Sequence, residues 1–133
     1  EEAPSAPDSA PAPVDFKKLE LLDEALSPGQ VDDFLSLYLR EIERHLERAR
    51  EAHQREDLPA LAREAHVIIG ISGNVGAARL SALASALQAA CRNGGAIGSL
   101  VQELGTLCDE SNAALRLWLE GRRPTSTAAV PAA

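Results

Sequence analysis

The chain has 133 residues, which suffices for one domain with a single hydrophobic core. Alanine and leucine, with 24 and 19 residues, far outnumber the aromatic residues at 3%, so the composition favours helices over a β-sandwich or barrel. The net charge of −7 argues against nucleic acid as a main partner. No apolar run approaches the roughly 20 residues of a membrane span, and Cys91 and Cys108 alone predict neither a disulfide scaffold nor a metal site.

Stretches rich in proline and alanine flank a central body. We interpret residues 1–13 as a Pro/Ala-rich linker, residues 14–123 as the folded domain and residues 124–133 as a disordered tail. The chain contains no methionine, so we expect a processed chain or a piece of a larger protein.

In chain order, the first two predicted helices are a short one and a long one. The short helix covers residues 16–26. Ser27 and Gln30 have the spacing of a capping box, with Pro28 at the first helical position. The helix that follows, to about His53, carries one apolar seam at spacings of 4, 3, 4 and 3: Leu35, Leu39, Ile42, Leu46 and Ala49.

Three further helices follow at shorter intervals. Asp57 is the predicted cap of a helix with the core stripe Leu58, Leu61, Ala65, Ile68 and Ser72. Residues 73–76 end it, and Asn74 is the predicted cap of the next helix, whose core residues are Leu80, Leu83, Leu87 and Ala90. The last helix runs from Ile97 to Gly121. These elements predict an all-α fold: an up-down-up-down four-helix bundle with a short N-terminal lead helix.

His66 differs from the other two histidines in its surroundings. His45 and His53 lie among Glu and Arg residues, a pattern typical of solvated side chains, whereas His66 lies at the edge of a core stripe. Its neighbours on the same helix face include Gly70 and Gly73. Glycine inside a helix lowers helix stability by up to about 1 kcal/mol relative to alanine, so two glycines on one face need another reason. Close approach of another protein to this face would provide it. A rim histidine beside a helix-packing glycine is the alternative interpretation.

The next helix carries a polar stripe: Ser81, Ser85, Gln88 and Arg92. Gln88 can bond an imidazole nitrogen and select its tautomer, although the stripe also fits an ordinary exposed edge. Residues 58–102 hold Glu64 against Arg63, Arg79 and Arg92, whereas residues 15–57 hold twelve acids against seven bases. The face around His66 is therefore the least unfavourable one for a phosphoryl group or an acidic partner.

Residues 65–77, AHVIIGISGNVGA, resemble the signature of histidine-containing phosphotransfer (HPt) domains. That signature has a histidine, two apolar residues, Lys-Gly, small residues, and later an aliphatic residue followed by Gly-Ala. Residues 14–120 follow the family's plan of a lead helix and a four-helix bundle. The acidic, alanine-rich and linker-flanked character of the chain resembles that of the C-terminal HPt domains of unorthodox hybrid sensor histidine kinases of the ArcB and BvgS type.

The resemblance implies a phosphorelay module rather than an autonomous enzyme. It implies that His66 accepts a phosphoryl group from a receiver-domain aspartate and passes it to a response regulator, with Gln88 orienting the ring. The receiver would supply Mg²⁺ and a lysine, and the module would need no cofactor of its own. Partner docking would involve Ala62, Ile68, Ile69, Gly70, Gly73 and Val75. We further expect a cytoplasmic domain, monomeric when excised, without direct membrane contact.

Ile69 departs from the family pattern, which has a lysine at this position. That lysine helps to neutralise the phosphoryl oxygens, and Arg63 or Arg92 could supply the charge instead. One alternative is therefore a phosphorylation-deficient bundle that only binds a receiver or another partner domain. Another is a helical dimerisation domain, although a self-complementary interface would not explain an exposed histidine with a glycine four residues later. Neither a Ser-His-Asp set nor a ligand cluster indicates a hydrolase or a metalloenzyme.

Overall fold

The computed structural model describes residues 13–27 and 29–122, which form five helices and no strand. They are α1 (Phe16–Ala25), α2 (Gln30–Gln54), α3 (Leu58–Asn74), α4 (Ala78–Asn93) and α5 (Ile97–Arg122). None of the helices in these two ranges has the length and hydropathy needed to span a membrane. The predicted tail and all of the predicted linker except Pro13 lie outside the described residues.

Helices α2 to α5 pack in a closed ring. Each contacts its neighbour in sequence, and α5 returns to contact α2, whereas α1 packs beside α2. Connections of three residues join α2 to α3, α3 to α4 and α4 to α5, so consecutive helices run antiparallel. This arrangement confirms the predicted all-α, up-down-up-down four-helix bundle with a short lead helix.

The predicted apolar seams form the core, with one clear exception. The whole seam of α2 is buried, and α3 buries Leu61, Ala65, Ile68 and Ser72. The hydroxyl of Ser72 donates to the carbonyl oxygen of Ile68 one turn earlier, so this polar side chain is satisfied inside the core. Leu58 is 40% exposed, so its predicted place in the core is wrong. It is the first residue of α3 and lies at the end of the bundle, where fewer neighbours cover it.

The helix boundaries confirm one predicted cap and correct two. Asp57 caps α3 and accepts a hydrogen bond from the backbone N–H of Ala60. Gly29 occupies the N-cap of α2, so Ser27 is not the cap; only the reciprocal half of the box is present, with the Ser27 N–H donating to Oε1 of Gln30 over 2.7 Å. The prediction for Pro28 lies outside the described residues.

Asn74 does not cap α4, because it remains the last residue of α3. The backbone N–H groups of Gly76 and Ala77 donate to the carbonyl oxygens of Gly73 and Ser72 and form a Schellman motif. Gly76 supplies the left-handed conformation that this motif needs, with φ of +81°. The chain therefore turns only after Asn74, and Ala77 becomes the N-cap of α4.

The lead helix is fixed to the turn between α3 and α4. The backbone N–H of Asp15 donates to the carbonyl oxygen of Gly76 over 2.7 Å, and the ring of Phe16 stacks on Trp118 of α5 at 6.4 Å. Val14 and Leu19 are buried in the core. The N-terminal end of α1 is thus part of the bundle.

The end of α2 contains a residue whose replacement is expected to stabilise the protein. Glu56 has φ of +57° and occupies the position in a second Schellman motif that glycine usually fills, because Glu56 and Asp57 donate to the carbonyl oxygens of His53 and Ala52. We expect Glu56→Gly to raise the free energy of unfolding by about 0.5–1 kcal/mol in urea titration, because it removes left-handed strain. Arg55→Gly, at a right-handed position, should lower it.

Gly76 and Gly70 are expected to respond to alanine in opposite directions. A Cβ at Gly76 would lie 2.7 Å from the carbonyl oxygen of Asp15, so Gly76→Ala should lower the free energy of unfolding by about 2 kcal/mol or more. A Cβ at Gly70 would meet no other side chain or segment within 4 Å. Gly70→Ala should therefore raise it by about 1 kcal/mol. Equal effects in thermal or urea unfolding would contradict this account.

Candidate functional site

His66 lies on the outer side of α3 and is exposed to solvent. The residues beside it, Ala65 and Ile68, are buried and hold the helix against the core. One turn later, Gly70 leaves the surface next to the ring open. The imidazole therefore stands on a rigid helix with free space on its C-terminal side.

The other two histidines are less exposed than the sequence predicted. Nδ1 of His45 lies 2.7 Å from a carboxylate oxygen of Glu64, and Nε2 lies 3.8 Å from Glu41. The side chain of His45 is only 16% exposed, because the packing of α2 on α3 brings Glu64 over the ring. His53 is half-buried in a cleft with Leu58 and Ile97 at the end of the bundle. The prediction of solvated rings is thus wrong for both.

Gln88 lies beside His66 on the neighbouring helix. The Nε2 atom of Gln88 is 3.4 Å from Nδ1 of His66, which is a long hydrogen bond. The structure therefore places together the two residues that the polar stripe predicted as partners. The stripe continues with Ser81, whose hydroxyl donates to the carbonyl oxygen of Ile69 over 3.0 Å, and with the exposed Ser85 and Arg92.

Basic side chains lie on the N-terminal side of His66. Arg63 precedes it by one turn of α3, and Arg92 follows Gln88 by one turn of the antiparallel α4, so both residues lie toward the N-terminal end of α3 from His66. Both are exposed. Glu64, the only acid in residues 58–102, is bonded to His45 on the α2 side of α3. The surface around His66 is therefore locally positive in a chain of charge −7.

The predicted docking residues divide into accessible and inaccessible ones. Gly70 is exposed, and Ala62, Ile69 and Gly73 are half-buried. Ile68 and Val75 are 1% and 0% exposed, so their predicted place on a docking surface is wrong. Ile68 also belongs to the predicted core stripe of α3, and the structure confirms that assignment instead.

Neither cysteine has the environment of a reactive nucleophile. Burial raises the pKa of the Cys108 thiol to about 11, with the neighbouring charge of Asp109 adding to the effect, and it also raises the pKa of Cys91. Both thiols therefore stay protonated near neutral pH. Within the part of the chain that the structure describes, no group of three or more His, Cys, Asp or Glu side chains could hold a metal ion.

Comparison with known proteins assigns this bundle to a family. The sequence model of the Hpt domain matches residues 33–120. The fold is similar to the crystal structure of histidine-containing phosphotransfer protein B (HptB) from Pseudomonas aeruginosa PAO1, with a TM-score of 0.77 and 23% identity over 84% of this chain and 96% of that one. No curated protein matches the sequence. The chain belongs to the Hpt domain family and is a histidine phosphotransfer module of a phosphorelay.

Proposed function

We propose that His66 is the phosphoacceptor of this module. Hpt domains work with receiver domains and response regulators in phosphorelays. The observation that supports His66 is its exposure on α3 beside open Gly70, in contrast to the half-buried rings of His45 and His53. A phosphorylated residue must be reached by the aspartate of a partner domain, and this requirement favours His66.

The proposed transfer uses the neutral imidazole, which carries a lone pair on one of its two ring nitrogens. The Gln88 amide, rotated so that Oε1 faces the ring, accepts from Nδ1–H and leaves the lone pair on Nε2. Nε2 attacks the phosphorus of the aspartyl phosphate; the N–P bond forms while the bond from phosphorus to the aspartate oxygen breaks, and the carboxylate leaves. Oε1 of Gln88 then stabilises the positive charge on the ring. The reverse sequence delivers the phosphoryl group to the next receiver.

The same proposal assigns Mg²⁺ and a lysine to the receiver, where they neutralise the phosphoryl oxygens. This chain contributes the nucleophile, its orientation by Gln88 and an open surface for docking. We also propose a cytoplasmic location, and the finer placement within a hybrid sensor histidine kinase stays a prediction from sequence resemblance.

His66→Gln should abolish phosphoryl acceptance and leave the thermal midpoint almost unchanged, because an exposed side chain contributes little to the core. The measurement is acid-labile, base-stable label after mixing with a radiolabelled, phosphorylated receiver, together with a melt followed by circular dichroism. His53→Gln is the matched control and should keep full acceptance. Label on the His66→Gln variant would contradict the assignment.

Ile69 provides the specific observation that favours a second candidate function, a bundle that binds a receiver without accepting phosphate. Its side chain packs against the core, so the family's lysine position is apolar in this chain. Under the relay proposal, Arg63 or Arg92 replaces the missing charge. A cation near the phosphoryl group stabilises the transition state by about 1–2 kcal/mol at a partly exposed site.

We therefore expect Arg63→Ala or Arg92→Ala to slow transfer about tenfold without changing the melt, and Ile69→Lys to restore part of that rate. Rapid-quench measurement of transfer from a receiver tests this. If transfer is rapid and none of the three substitutions changes its rate, neither arginine replaces the charge of the missing lysine. His66 would remain the proposed phosphoacceptor in that case. Binding of a receiver without any acceptance by the wild-type chain would favour the second candidate.

A further inference from the structure

We propose that Lys18 of α1 forms a second contact for the receiver domain, in which its ammonium group pairs with a carboxylate on the receiver surface. The contact lies in an open groove next to His66, between α1 and the C-terminal half of α3. This inference rests on the proposed function of His66 and adds to it a residue that selects the partner.

Lys18 is held at this position by the attachment of α1 to the bundle. The bond from the Asp15 N–H to the Gly76 carbonyl fixes the start of the helix. One turn later, Nζ of Lys18 donates to the carbonyl oxygen of Gly73 over 2.8 Å. The side chain is exposed, so the ammonium group keeps donor capacity for a further partner.

The groove beside Lys18 has a volume of about 510 Å³ and is bordered by small side chains. Ile69 and Gly73 of α3 and Ser81 and Ser85 of α4 line it, together with Lys18. Ser85 precedes Gln88 by one turn and Ile69 follows His66 by one turn. The groove is therefore continuous with the surface on which the imidazole stands.

Distance separates the role of Lys18 from that of the phosphoryl-neutralising cations. Gly73 follows His66 by seven residues, so Lys18 lies roughly 10 Å along the helix axis from the ring. A phosphoryl group on His66 is beyond its reach. A docked protein domain, in contrast, covers about 800 Å² on each partner, and an area of this size includes both Lys18 and His66.

The ammonium group of Lys18 is the one cation among the described residues that line the groove, and it favours an acidic group on the partner. Lys18 donates its hydrogen bond to a carbonyl oxygen and not to a carboxylate, so the bond does not neutralise its positive charge. Asp15 also lines the groove, but its carboxylate accepts from the backbone N–H of Lys17 and caps α1. With Arg63 and Arg92 on the opposite side of His66, the surface carries cations at both ends, and complementary charges on a receiver would set its orientation.

The test compares Lys18→Glu with Lys17→Glu, a neighbouring exposed lysine on the same helix. Receivers are first screened for one that labels the wild-type chain. For that receiver, Lys18→Glu should lower the second-order rate constant of transfer about fivefold to tenfold, and the deficit should shrink at 0.5 M NaCl because salt screens exposed charges. Lys17→Glu should have little effect. Scanning receiver Asp and Glu residues to Lys should reveal one that restores the rate with Lys18→Glu.

Phosphorylation by phosphoramidate, a small donor that needs no docking, separates this inference from the proposed function. Both variants should accept phosphate from it at the wild-type rate and melt at the wild-type temperature. Three outcomes would overturn the role of Lys18. The two variants could show equal transfer rates, or salt could leave the rate deficit of Lys18→Glu unchanged. The third outcome is that phosphoramidate labels the wild-type chain but no receiver does. Wild-type protein that phosphoramidate fails to label on His66 would instead overturn the proposed function.

Discussion

Close packing between α3 and α4 is the constraint on which the site depends. A small side chain allows it: Ser81 of α4 approaches α3 closely enough to donate to the Ile69 carbonyl oxygen. Seven residues further along α4, the same packing places Gln88 against His66. A bulkier residue at the contact would separate the helices and remove the orienting amide, even though it lies two turns from the ring.

The turn after α3 connects this packing to the lead helix. Gly76 takes a left-handed conformation that ends α3, and the absence of a side chain also lets the Asp15 backbone approach. One residue thus satisfies two requirements, and its loss would affect both the α3–α4 geometry and the position of Lys18. Stability and docking surface are coupled at this point, because the element that carries Lys18 is held by backbone bonds to the turn.

The three histidines show how environment separates residues of the same type. His45 lies between α2 and α3, where Glu64 occupies one ring nitrogen. His53 lies in the cleft at the end of the bundle. His66 alone combines exposure, a neutral neighbouring amide and an open glycine. A nucleophilic imidazole needs an accessible lone pair, and the covered ring of His45, with Glu64 and Glu41 beside its two nitrogens, does not offer one.

Local patterns were sufficient to predict the helices, most of their apolar seams and the bundle, because helical periodicity determines which residues share a face. They offered Gln88 as a partner of His66, but the packing of α3 on α4 decided that pairing. They did not show that Val75 is buried, that Glu64 covers His45 or that Asn74 stays within α3. These features depend on which helix lies opposite and how far each helix continues. The position of Lys18 at the Gly73 carbonyl was likewise decided only by tertiary structure, because the two residues are 55 positions apart and no local pattern links them. The sequence by itself thus determined the elements and their inner faces, whereas the contacts between elements decided which outer residues form the site.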